Sequence, residues 1–323
     1  MSTTVSGTRA SAAPVENTTP RSRVILASLI GTTIEFYDFY IYATAAVAVF
    51  PVLFFPAKDA TTELLASFAT FGVAFVARPL GSIIFGHFGD KIGRKATLVG
   101  ALLTMGIATF IIGLLPTYHQ IALWAPTMLT IMRFCQGLGL GGEWSGAALL
   151  ASEYAKEGKR ARAAMWPQLG APIGFVLANG FMLILTSFIA FNSTTDAKNL
   201  EHPFLVWGWR IPFLLSIVMV AVGLYVRFRL EETPVFAMAA ANNEKVKTPL
   251  VEAFKVAWWP MIQGTFIMVA CYVLFYLMTA WVLSYGIAKA EKGGLAIPYH
   301  EFLIIQLVSI IGFAIFIPIS GWL

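Results

Sequence analysis

The chain has 323 residues, 58% of them hydrophobic and only 12% charged, with a mean hydropathy of +0.75 and a net charge of +5. A soluble domain carries about twice that share of charge, so the composition excludes an ordinary water-soluble protein. The basic balance raises nucleic acid as a partner, but the placement of the charges, described below, excludes it.

Residues 1–23 are rich in Ser, Thr, Ala and Pro and lack an apolar core, so they read as a disordered cytoplasmic tail without a cleavable signal. Eight apolar runs follow, at 24–50, 63–86, 96–115, 121–151, 165–190, 206–228, 257–286 and 300–323. Each is long enough for a bilayer core. In lipid no water satisfies the backbone, so each must be a helix, and the chain is an all-α membrane protein. Cys135 and Cys271 both lie inside apolar runs, where a structural disulfide is not expected.

Charge alternates from loop to loop. The tail and the loops 86–96, 152–164 and 227–256 hold 15 of the 22 Lys and Arg; the opposite loops hold only Lys58, Lys198, Lys289 and Lys292. The positive-inside rule therefore puts the N-terminus in the cytoplasm. The basic charge is a record of topology. Loop 227–256 is the longest and follows six spans, which predicts a 24–228 bundle, a linker over 229–256 and two helices of a second bundle over 257–323. The chain ends at Leu323 flush with an apolar run, as expected of a C-terminally truncated protein.

Between spans two and three stands Gly86-His87-Phe88-Gly89-Asp90-Lys91-Ile92-Gly93-Arg94-Lys95. Gly86, Gly89 and Gly93 allow a tight turn and close helix approach. Asp90 suits a helix N-terminus, and Arg94 and Lys95 suit pairing with acids at a neighbouring helix end, Glu153 first among them. Such contacts would latch a cytoplasmic gate.

This loop resembles the signature of the major facilitator superfamily. Four further segments resemble its metabolite:proton symporters, the group of shikimate, α-ketoglutarate and proline/betaine carriers. They are Glu35-Phe36-Tyr37-Asp38-Phe39-Tyr40-Ile41-Tyr42, Ala77-Arg78-Pro79-Leu80-Gly81, Arg133 to Gly137 with Gly141-Gly142-Glu143-Trp144, and Trp207 to Phe213. The resemblance implies the major facilitator fold: a complete six-helix bundle, here with two helices of a second, and substrate held between bundles. It also implies a proton-coupled importer of a small polar metabolite, such as shikimate or a dicarboxylate. An exporter, a facilitator or a non-transporting fragment are the alternatives. No cofactor, metal or nucleic acid is implied; the partners are solute, protons and the bilayer, and the protein is expected to act as a monomer.

Ionisable residues inside the membrane are functional candidates, since a charge in hydrocarbon must pair or face a cavity. Glu35 and Asp38, three apart, share a face of span one; Arg133 and Gln136 share a face of span four. Asp38, with Glu35 second, is expected to carry the proton, and Arg133 either modulates it or binds a substrate carboxylate. Arg78 reads as a snorkelling or gate-bracing residue. Gln168 and Asn179 lie on one stripe of span five, Tyr272 and Tyr276 on one stripe of span seven; both stripes suit a solute cavity or helix-to-helix hydrogen bonds. Gly137-x-Gly139-x-x-Gly142 fits a dinucleotide fingerprint only literally, because it lies inside a span, where small residues serve close packing. His87, His119, His202 and His300 are scattered and form no metal-binding set.

Overall fold

A computed structural model describes residues 21–153, 155, 158–191, 196, 199–229 and 249–322, without the side chains of Arg21, Asp90, Arg94, residues 143–153, residues 249–254 and Lys292. Residues 1–20 of the predicted tail and most of the linker lie outside the described residues, as do the side chains of Asp90, Arg94, Glu143 and Glu153, while residues 21–23 belong to the first helix.

Among the described residues, eight long helical elements carry the fold. They are α1 (Arg21–Ala48), α2 (Ala60–Ile92), α3 (Arg94–Leu114), α4 (Trp124–Glu153), α5 (Arg160–Gln168 and Gly170–Phe188), α6 (Arg210–Phe228), α7 (Pro249–Tyr276, continued by Leu277–Trp281 and Val282–Ile287) and α8 (Tyr299–Trp322). Seven are long and apolar enough to cross a membrane. The eighth, α4, has 30 residues but is not among those seven; Arg133, Gln136 and a run of glycines dilute its apolar content. Its position comes from packing between α2 and α3.

Breaks in the helices have identifiable causes. Gly93 separates α2 from α3 at φ 106°, a conformation that residues with a Cβ avoid. In α7 the backbone leaves helical angles at Ala257, just ahead of Pro260, whose ring crowds the preceding turn. Asp59 caps α2 by accepting from the backbone N–H of Thr62 at 3.0 Å.

α1 is the central helix. Of its apolar window 67% is buried in protein, against 11% for α7, so α1 faces other helices and α7 faces mostly outward. α2, α3, α4, α5 and α6 all contact α1, and the continuation of α7 touches it from the second bundle while α8 packs on α5. The α2–α4 contact is the closest. A Cβ built on Gly81 would lie 2.0 Å from the carbonyl oxygen of Leu138, and one on Gly141 2.1 Å from that of Arg78. Gly137 and Gly139 approach α2 and α3 in the same way. The glycines that mimic a nucleotide fingerprint are therefore packing residues.

The signature segment departs from expectation. Of its three glycines only Gly93 sits in a demanding conformation; a Cβ on Gly86 meets nothing within 4 Å, and one on Gly89 meets Thr97 at an ordinary 3.5 Å. Lys95 donates from Nζ to the carbonyl of Phe228 at 3.0 Å, so it also caps the last turn of α6; the acid first expected as its partner, Glu153, has its side chain outside the described residues. A helix C-terminus is partly negative and serves the same purpose.

Candidate functional site

The centre of the bundle holds four polar side chains in series. Arg133 donates from Nη1 to Oε1 of Gln136 at 3.0 Å. Gln136 donates from Nε2 to the hydroxyl of Thr109 at 2.6 Å. Thr109 in turn donates to Oδ2 of Asp38 at 2.8 Å. Asp38, Thr109, Arg133 and Gln136 are each no more than 3% exposed. The helical spacing brings Arg133 and Gln136 to one face of α4, and α3 inserts Thr109 between that face and α1.

Thr109 has one hydroxyl hydrogen and two acceptors in range. Besides Asp38 it lies 3.0 Å from the carbonyl of Met105, one turn earlier in its own helix. The hydroxyl can therefore serve an ionised Asp38 or, if that carboxyl holds a proton, turn to Met105. This residue was invisible in sequence. A threonine inside a membrane helix normally bonds to its own preceding turn, as Thr32, Thr104, Thr186 and Thr279 do here.

Glu35, Asp38, Arg133 and Gln136 line one cavity together with Phe39, Ala74, Met105, Gly137 and Leu140. Its free volume of about 10 Å³ is room for about one water molecule. Arg133 reaches Asp38 through Gln136 and Thr109. Among the described residues it forms no ion pair. Its guanidinium instead lies 3.9 Å from the ring centre of Tyr42 and 4.9 Å from that of Phe71.

A second polar cluster lies where α7 meets α2. Arg78 donates to the hydroxyl of Tyr276 at 3.3 Å and sits over the rings of Phe75 and Phe39, at 5.0 and 5.5 Å. Tyr272 stacks on Tyr276 at 6.0 Å, and Tyr276 also meets Phe39 and Phe75 edge-on or tilted. From the sequence Arg78 was expected to snorkel or to brace the gate; it meets Tyr276 of α7. Tyr272 and Tyr276 do come together at that seam.

The α5 stripe behaves differently. Asn179 is 1% exposed and its Oδ1 accepts from the hydroxyl of Thr44 at 2.7 Å, so it clamps α5 to α1 inside the bundle and is not a cavity wall. Phe175, on the same stripe, packs edge-on against Tyr40 at 4.7 Å. Gln168 is half-buried at the end of the first α5 segment, well away from the Asp38 cluster along the chain.

A bundle of helices long and apolar enough to cross a membrane, with polar residues strung through its interior, is the architecture of a multi-pass membrane protein. The family model described as "Sugar (and other) transporter" matches residues 24–257, and the chain belongs to that family. It is 52% identical over 303 residues to the inner membrane metabolite transport protein YhjE of Escherichia coli, with 94% of this chain and 66% of that protein aligned. With the E. coli shikimate transporter the identity is 38%, over 93% of this chain and 66% of the relative. The chain thus spans about two thirds of the length of these relatives. Among solved structures, the partially occluded inward-open xylose transporter XylE of E. coli matches with a TM-score of 0.61 at 16% identity, covering 90% of this chain and 68% of that one. That likeness concerns the fold. The relatives are named as transporters, and this chain is a multi-pass membrane protein of their family.

Proposed function

We propose that this protein is a secondary active transporter that imports a small carboxylic acid together with a proton, by alternating access of two bundles. Asp38 carries the proton, with Glu35 beside it in the same cavity. The observation that carries the reading is the buried run from Asp38 through Thr109 and Gln136 to Arg133. An ionised carboxylate inside a membrane bundle needs donors and a counter-charge; this run supplies both, through neutral groups that also offer an alternative when the carboxyl is protonated.

In the proposed cycle the proton neutralises Asp38, the Thr109 hydroxyl turns to Met105, and the Gln136–Arg133 pair is released from its tie to α1. α1 touches every other helix of its bundle, so a change in its polar contacts reaches the whole bundle. The solute lies between bundles, at the seam of Arg78, Tyr272 and Tyr276. Each proton entering down about 100 mV releases roughly 2.3 kcal/mol, which concentrates a solute about fifty-fold.

The remaining assignments follow from the loops. The N-terminus and the Gly86–Lys95 segment face the cytoplasm, and the protein sits in an inner membrane as a monomer. Gly86, Gly89, Gly93 and Lys95, with Asp90, Arg94 and Glu153, form the inner gate. The tie from Lys95 to the end of α6 supports a latch at that end of the bundle.

The test is accumulation of labelled shikimate in vesicles under an imposed inward proton gradient. The wild type is expected to accumulate, and Asp38→Asn to lose accumulation while keeping counterflow exchange. Gradient-driven accumulation by Asp38→Asn, or a wild type indifferent to the gradient, overturns the proton assignment.

A further inference from the structure

We infer that Arg78 and Arg133 together form the receptor for a single carboxylate of the solute, around the ring of Phe39 at the seam between the six-helix bundle and α7. This deepens the proton-coupled reading above and rests on it.

Both guanidiniums lie against the same side chain, 5.5 and 5.7 Å from the centre of the Phe39 ring. Neither forms an ion pair among the described residues. Each keeps one hydrogen bond to a neutral group, to Tyr276 and to Gln136. Among the described residues, the buried Nε of Arg78 and the buried Nε and Nη2 of Arg133 have no hydrogen-bond partner, and neither has the buried hydroxyl of Tyr40, whose ring is 5.5 Å from that of Phe39.

Aromatic faces offset part of a guanidinium's charge, but they accept nothing from N–H groups in its plane. Arginine is always charged and donates only. The deficit is therefore of acceptors and of negative charge at once. A carboxylate supplies both, with about four lone-pair sites that fit two guanidinium forks. A sugar hydroxyl brings no charge and must itself donate.

Charge balance then gives the size of the anion. Within the membrane layer the described charged side chains around Phe39 are Glu35 and Asp38 on α1, Arg78 on α2 and Arg133 on α4. α3, α5 and α6 carry charge only at their ends. The phenols of Tyr37, Tyr40, Tyr42, Tyr272 and Tyr276 complete the set of described titratable side chains there. With both of these acids ionised the four described charges balance, two against two. Loading one proton leaves one positive charge uncompensated, and a monocarboxylate restores neutrality. Proton and anion thus recruit each other, which is coupling by linkage.

The experiment is binding to the purified full chain in lipid nanodiscs, read by isothermal titration with shikimate, methyl shikimate and D-xylose at pH 5.5 and 7.5. Shikimate is expected to bind at least about tenfold more tightly than its uncharged ester or xylose, and more tightly at pH 5.5, by at most about tenfold per pH unit for one linked proton. Arg78→Gln and Arg133→Gln weaken shikimate at least about tenfold, and Arg78→Lys less. Equal affinity for acid and ester overturns the inference on the wild type alone, even if a glutamine variant does not fold. Unchanged shikimate affinity in monodisperse Arg78→Gln also overturns it. If vesicles accumulate shikimate under a proton gradient and Arg78→Gln binds as the wild type does, the anion site fails and the proton reading stands. If Asp38→Asn still accumulates, the proton reading fails regardless of the binding result.

Discussion

The hydroxyl of Thr109 lies 2.8 Å from Oδ2 of Asp38, although 71 residues separate the two in the chain. The same hydroxyl accepts from Gln136 and has a second acceptor in Met105. One rotor therefore stands between the candidate proton carrier and the arginine on α4, and it is the most economical place to test the relay.

Thr109→Val keeps the shape and removes the hydroxyl. Asp38 loses a donor that favours its ionised form, and Gln136 loses an acceptor. Gradient-driven uptake is expected to fall about tenfold, with its half-maximal pH moved upward, and Thr109→Ser is expected to restore both. A pH profile unchanged in Thr109→Val would remove the hydroxyl from the relay, whatever happened to stability.

The three glycines of the signature segment should separate by backbone conformation. Gly93→Ala places a Cβ at φ 106° and is expected to cost about 1–3 kcal/mol. Gly86→Ala, inside α2 with open space around it, should stabilise by about 0.5–1 kcal/mol. Gly89→Ala should fall between them. Thermal unfolding in one detergent reads all three, and a Gly93→Ala variant as stable as Gly86→Ala would contradict the turn described for Gly93.

Gly141→Ala tests the α2–α4 seam. Its new methyl would lie 2.1 Å from the backbone carbonyl of Arg78, which cannot give way as a flexible side chain does. A loss of 1–3 kcal/mol or about that is the ordinary cost of overpacking. Because the helices must separate, the variant should also displace Arg78 and weaken shikimate binding. A variant with wild-type melting behaviour would mean that α2 and α4 do not approach so closely.

Thr44 and Asn179 are predicted to couple in stability alone. A double-mutant cycle of Thr44→Val and Asn179→Leu should give an interaction energy of about 0.6 kcal/mol, the average for hydrogen bonds between membrane helices. Shikimate affinity should be unchanged in both single variants. An altered affinity would return Asn179 to the cavity wall, where its place on the helix stripe had first suggested it.

Spans, loop charge and the signature segment were legible in the sequence because each is a local or periodic property. An apolar run in lipid has only the helix available to it, and the motif residues are contiguous. Asp38, Glu35 and Arg133 stood out as candidates for the same kind of reason: a charge inside an apolar run is anomalous wherever it points. Their partners were not legible. Thr109 looks like any threonine bonded to its own helix, and Arg78 lies near enough to a helix end to pass for a snorkelling residue.

What the sequence by itself determined about this protein is a set of membrane helices, their order, and which of them carry charge, since the bilayer penalises those features one residue at a time. What only the tertiary structure decided is which polar groups meet. Asn179 turned inward to Thr44, Tyr276 turned to Arg78, and Arg133 reached Asp38 through two neutral side chains. Those outcomes depend on how closely α2 and α4 approach through their glycines and on the rotation of α3 against α1. Helix crossing and rotation are set by packing between distant segments, which no period along a single helix records.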